Sequence, residues 1–137
     1  MYRLKKSLGQ HFLKDESIID KIVAALQEDS FKNLLEVGPG AGALTKNLIK
    51  IPEINFKAVE LDDEKVSLLK SKYPILSDKI IHQDFLQIEK PFDEPFTVIG
   101  NFPYNISTEI LFKILDWKDE VPVVIGMFQK EVAQRIA

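Results

Sequence analysis

The stretch "NLLEVGPGAGALT", residues 33 to 45, decides the architecture. An apolar run too short for a helix, Leu34 to Val37, stops at Gly38; Gly38, Gly40 and Gly42 then lead into the helical pattern of "ALTKNLIK". Strand, glycine turn and helix in that order open a βαβ unit. A residue without a Cβ lets the chain bend sharply and lets backbone amides approach a ligand where the helix begins. A tight strand-to-helix turn needs glycine whether or not anything binds, so this stretch speaks for the fold before it speaks for a ligand.

Outward from it the alternation continues. Towards the C-terminus come the predicted strand "FKAVEL", a helix over "DEKVSLLKSKY", the strands "KIIHQD" and "FTVIG", a helix over "STEILFKILDW" and the strand "VPVVIGMF". Towards the N-terminus, residues 16 to 28 set Ile18, Ile19, Ile22, Val23 and Leu26 on one helical face, with Asp15 as a candidate cap. The last residues, "QKEVAQRIA", read as the start of another helix. Strands that alternate with helices imply right-handed crossovers, a mainly parallel sheet, and ligands at the carboxyl ends of the strands.

Composition agrees with one α/β domain. The 137 residues are 45% hydrophobic and 28% charged, enough for a real core, with no apolar run of membrane-spanning length, no repeat and no secretory signal. The absence of cysteine excludes disulfides, thiolate metal sites and cysteine nucleophiles, and a reducing cytoplasm fits. The net charge of -3 is unevenly placed: Arg3, Lys5, Lys6 and Lys14 lie in a basic arm, residues 1 to 15, whose first acid is Asp15. Such an arm is either a modest footprint for a polyanion or a solvated N-terminus.

Five positions carry the chemistry. Glu60 follows Gly38 by 22 positions, at the end of the second strand of the βαβ unit, where a carboxylate can accept hydrogen bonds from both hydroxyls of a ribose. Asp84 in "HQDF" can accept from an adenine amino group with Phe85 near the ring, although an Asp at a turn often does no more than form an Asx-turn. A nicotinamide dinucleotide would suit the glycines and Glu60 equally well. The discriminating segment is "GNFPYNIST", where Asn101, Pro103 and Tyr104 follow the "FTVIG" strand. The lone pair of an exocyclic adenine amine is delocalised into its ring, so the amine is a poor nucleophile. The side-chain oxygen of Asn101 and the carbonyl of Pro103, both accepting from that NH2, would hold it and favour a geometry with the lone pair directed at a methyl donor. Proline fixes the backbone, and Tyr104 offers a face on which an extruded base can stack. A proline turn with a buried tyrosine is the plainer alternative.

"SLGQHFL", "EVGPGAG", "VELD", "QDF" and "GNFPYNIST" occur in the order and spacing of the RsmA/KsgA family, and over essentially its whole length the chain resembles those small-subunit ribosomal RNA adenine N6,N6-dimethyltransferases. The resemblance implies a class I (Rossmann-like) methyltransferase sheet in strand order 3-2-1-4-5, S-adenosyl-L-methionine as cofactor, no metal, and a cytoplasmic pre-30S-type ribosomal particle or its RNA as partner. It implies that His11 and Leu13 line the cofactor pocket, Gly38 and Gly40 approach the methionine part, Glu60 the ribose and Asp84 the adenine. Asn101 would sit between cofactor and target, as both a binding and a catalytic residue with Pro103 and Tyr104. Phe102 stands where relatives have Leu or Ile, and His11 where many have Asn. Family members run to roughly twice this length, so the resemblance implies a fragment that lacks two further strands and a C-terminal helical domain and is inactive alone. Two other readings stay open: an Erm-type enzyme acting on large-subunit RNA, and a pre-ribosomal RNA-binding module without catalysis. A nucleotide-dependent oxidoreductase is more distant.

Overall fold

The computed structural model describes residues 3–5, 16–28, 30–101 and 107–127. Among these residues six strands form one wholly parallel sheet: β1 (Arg3–Lys5), β2 (Asn33–Val37), β3 (Asn55–Val59), β4 (Ile80–Ile81), β5 (Thr97–Asn101) and β6 (Val123–Met127), in spatial order β1-β6-β5-β2-β3-β4. With β1 set aside, the remaining five take the 3-2-1-4-5 order. β2 sits at their centre: the chain runs from it to β3 and β4 on one side, then crosses to β5 and β6 on the other. That makes the carboxyl end of β2 the switch point, where neighbouring connections diverge and leave a crevice.

The helices are α1 (Glu16–Leu26), α2 (Thr45–Leu48), α3 (Asp63–Lys72) and α4 (Ser107–Asp116). Successive strand residues point to opposite faces, and every residue of β2 is buried because helices cover both. Leu34, Phe56, Ala58, Ile99 and Ile125 pack with Ile19, Ile22 and Leu26 of α1, Leu48 of α2 and Leu69 of α3. On the other face Leu35, Val37, Val98 and Val124 pack with Ile110, Leu111 and Ile114 of α4. Each of the larger side chains among these contributes about 1.5–3 kcal/mol by leaving water, which is why a strand as short as Leu34, Leu35 and Val37 is firmly seated.

Three expectations change. The basic arm is not simply an arm: β1 pairs with β6, Arg3 opposite Val123 and Lys5 opposite Ile125. The edge of β6 would otherwise present unpaired N–H and C=O groups, and three residues are too few to show a period-2 pattern. The strand predicted over "KIIHQD" shortens to Ile80–Ile81, because the Gln83 N–H turns back to the Ile81 carbonyl (3.0 Å) and Asp84 caps the 3₁₀ turn Phe85–Gln87. The helix predicted over "ALTKNLIK" shortens to four residues, since Ile51 precedes Pro52 and that neighbour disfavours helical dihedrals. Asp15 and residues 128–137 lie outside the described residues. Among those described, no helix is long and apolar enough to cross a membrane.

Candidate functional site

The glycine turn leaves β2 with its backbone in the left-handed region at all three glycines, φ being 66° at Gly38, 57° at Gly40 and 92° at Gly42. The three do different work. A Cβ added at Gly38 or Gly40 would meet nothing within 4 Å, whereas one at Gly42 would lie 3.1 Å from Leu69 Cδ2 and 3.3 Å from Tyr73 Cε2. Gly42 is therefore needed for the close approach of the turn to α3, and Gly38 and Gly40 present backbone to open space.

Glu60, one residue beyond β3, faces that turn. Its Oε1 accepts from the Gly40 N–H at 3.0 Å and its Oε2 from the Asp62 N–H at 3.1 Å. A carboxylate offers about four lone-pair sites, so one bond on each oxygen leaves capacity for two more donors. Asp62 in turn caps α3, accepting from the Glu64 and Lys65 N–H groups at 2.8 and 3.2 Å. The whole β3–α3 corner is thus fixed around the Glu60 carboxylate.

A cleft of about 410 Å³ opens here, lined among others by Gly38, Glu60, Leu61, Asp84, Phe85 and Ile110. Asp84 borders it and is also an Asx-turn, its Oδ1 accepting from the Leu86 N–H at 3.0 Å; the bond orients the carboxylate without using its second oxygen. Phe85 is seated edge-on against Trp117 with ring centroids 5.7 Å apart. Lys113 of α4 donates to the Ile88 carbonyl at 2.6 Å, tying α4 to the segment after Asp84. Burial lowers the pKa of this ammonium, while Asp84 and Asp116 oppose that shift.

The structure brings Gly38, Glu60 and Asp84 to one cleft, ties Gly40 to it through the Glu60 carboxylate, and places the backbone of Asn101 beside them. Val37 is in register with Gly100, so Gly38 and Asn101 follow neighbouring strands out at the same level. His11, Leu13, Pro103 and Tyr104 lie outside the described residues.

Two features were missed from the sequence. Leu61 is 62% exposed in the cleft wall, an apolar surface suited to a planar ring. Glu36, inside β2, is 2% exposed and accepts a 2.6 Å hydrogen bond from the hydroxyl of the fully buried Thr45. Burial pushes the Glu36 carboxyl up to about 8, with the Glu60 charge adding to the rise and the Thr45 bond opposing it. The available signal was an acid between Leu35 and Val37 in a strand apolar on both sides.

The family model described as ribosomal RNA adenine dimethylase matches residues 1–137. The chain belongs to that family. It is 50% identical over 138 residues to the ribosomal RNA small subunit methyltransferase A of Cytophaga hutchinsonii, covering 98% of this chain and 54% of that protein. The chain thus spans about half the length of the curated relatives it matches. Among solved structures it is similar to a dimethyladenosine transferase from Plasmodium falciparum, with TM-score 0.70 and 27% identity over 89% of this chain and 44% of that one. It is also similar to the 23S rRNA methyltransferase ErmE, with TM-score 0.65 and 30% identity over 88% and 48%. The fold of this family member is that of a class I methyltransferase sheet. Among the described residues no group of three or more His, Cys, Asp or Glu side chains is placed to hold a metal.

Proposed function

We propose that the chain is the cofactor-binding and catalytic part of a small-subunit ribosomal RNA adenine N6,N6-dimethyltransferase that uses S-adenosyl-L-methionine in the cytoplasm and acts on RNA in a pre-30S-type particle. The observation that carries the reading is the Gly40–Glu60 hydrogen bond, which joins an open glycine turn to a carboxylate with spare acceptor capacity at the switch point of the sheet. The cleft residues fit that cofactor: Gly38 and Gly40 leave room for its amino-acid part, Glu60 can take two ribose hydroxyls, Leu61 offers a surface to the adenine and Asp84 an acceptor for its amino group. When bound, the cofactor supplies a methyl group made electrophilic by its sulfonium.

The protein's part in the transfer is positioning. Asn101 is the last residue of β5, and its side-chain oxygen with the Pro103 carbonyl would accept from the two hydrogens of the target amine. Tyr104 would stack on the extruded base, and His11 and Leu13 would close the cofactor pocket from the N-terminal side. These five assignments rest on the sequence motifs. Similarity to ErmE supports the same chemistry on large-subunit RNA as a second reading, and transfer assays on the two RNAs separate them.

The test uses the intact protein. Asn101→Ala should leave RNA affinity nearly unchanged, because backbone contacts made elsewhere dominate it, while the single-turnover rate falls about a hundredfold or more. A normal single-turnover rate in that variant would overturn the mechanism, and failure of the wild type to bind S-adenosylhomocysteine by calorimetry would overturn the cofactor.

A further inference from the structure

We infer that Glu36 and Thr45 form a clasp across the neck of the glycine turn and set cofactor affinity as a positioning pair, without touching the cofactor. The inference rests on the reading of the cleft as an S-adenosyl-L-methionine site. Glu36 is the penultimate residue of β2 and Thr45 the first of α2, so their 2.6 Å bond ties together the two ends of the loop that holds Gly38, Gly40 and Gly42. Three glycines give that loop more conformational freedom than any other residues would, and an amide that must meet a ligand gains affinity from having little. The helix that follows is short: α2 has four residues, is seated by the buried Leu48, and its cap position, Leu44, makes no side-chain hydrogen bond. Backbone bonds hold part of the loop, the Gly38 N–H donating to the Val59 carbonyl and the Gly42 N–H to the Pro39 carbonyl, both at 2.9 Å; the side-chain pins are Glu36 at its neck and Glu60, through the Gly40 N–H, at its middle.

Both pins are carboxyls, and the charge of Glu60 acts on Glu36. Glu36 is neutral at pH 7, pushed up to about 8 chiefly by burial and further by Glu60. Glu60 from the end of β3 is the charged group acting on it, Thr45 is the polar group facing it from α2, and α1 and α3 give apolar side chains to this side of the sheet. The proton on Glu36 lets a second carboxylate stand beside the turn. Losing that proton sets two like charges against each other and weakens the hold of Glu60 on Gly40.

The experiment is calorimetric titration of the intact protein with S-adenosylhomocysteine at about pH 6.5 and about pH 9. Wild-type affinity should fall roughly tenfold between the two, and Glu36→Gln, which keeps an acceptor for Thr45 and cannot ionise, should match wild type at the lower pH and fall much less at the higher. Titration of the ligand's own amine is common to both proteins and cancels in the comparison. Thr45→Val should weaken binding roughly tenfold at the lower pH with the fold intact by circular dichroism, and Thr45→Ser should restore it. If Thr45→Val does not fold, the Glu36→Gln profile and Thr45→Ser still decide. Identical pH profiles for wild type and Glu36→Gln, or wild-type affinity in a folded Thr45→Val, would overturn the clasp. Wild type that binds no S-adenosylhomocysteine at either pH would instead overturn the reading of the cleft.

Discussion

The two ends of the sheet handle the same kinds of polar group in opposite ways. At the amino ends of β2 and β3, Asn33 Nδ2 donates to the Pro95 carbonyl at 3.0 Å, and Asn33 Oδ1 accepts from Asn55 Nδ2 at 2.9 Å. The Asn55 N–H meets the Lys32 carbonyl at 2.7 Å, so these groups use one another and the end is closed. At the carboxyl ends, Glu60 accepts from only two backbone amides, Asp84 from one, and Gly38 and Gly40 face open space. Polar groups spent on each other stabilise the fold. Polar groups held in place with capacity to spare are what a ligand can use.

The largest effect should come from the one carboxyl at the open end that is fully buried. The Glu36 pKa is raised from 4.5 to about 8 in the folded chain, so between those values the folded state holds more of its proton than the unfolded state does. Its contribution to stability is complete below about pH 4.5 and is lost as pH rises to about 8, a change on the order of 4–5 kcal/mol. Chemical denaturation across that window should show Glu36→Gln gaining on wild type as pH rises, then running parallel above it. A constant difference would mean that Glu36 is ionised throughout.

Next come the glycines, which divide the open end itself. Gly42→Val sets a branched side chain at φ 92° with Leu69 3.1 Å from its Cβ, and should lower stability by about 3 kcal/mol. A Cβ at Gly40 meets no protein atom, so Gly40→Val should cost about 1–2 kcal/mol of stability, chiefly from its backbone, while lowering S-adenosylhomocysteine affinity at least tenfold. Equal stability losses in the two variants would erase the distinction between a packing glycine and a ligand-facing one.

Asn33→Ala tests the closed end. It removes two hydrogen bonds and should cost about 2 kcal/mol of stability, with cofactor affinity unchanged. Glu60→Ala is the reverse, and the smallest effect in free energy: affinity down at least tenfold, about 1.4 kcal/mol, with a lesser loss of stability because both freed amides can reach water. Denaturation midpoints and calorimetry on the same pair of variants check both. An Asn33→Ala protein with weakened binding would show that the two ends are coupled.

The sequence by itself determined the α/β class and, beyond the N-terminal arm, the order of helices and strands, and it put Gly38, Gly40, Glu60 and Asp84 just after strand ends on one side of the sheet. These follow from local rules: hydrophobic period, the steric freedom of glycine, and the fact that strands in a parallel sheet end together on one side. Tertiary structure alone decided the rest. Whether Gly40 faces a ligand or a helix depends on where α3 comes to lie, and its equally spaced neighbour Gly42 has the opposite answer. That Arg3–Lys5 joins the sheet depends on an edge supplied by residues more than a hundred positions away. That Glu36 keeps its proton depends on burial from both sides of the sheet and on a charge from another strand, since a carboxyl's pKa is a property of its surroundings and not of its place in the chain.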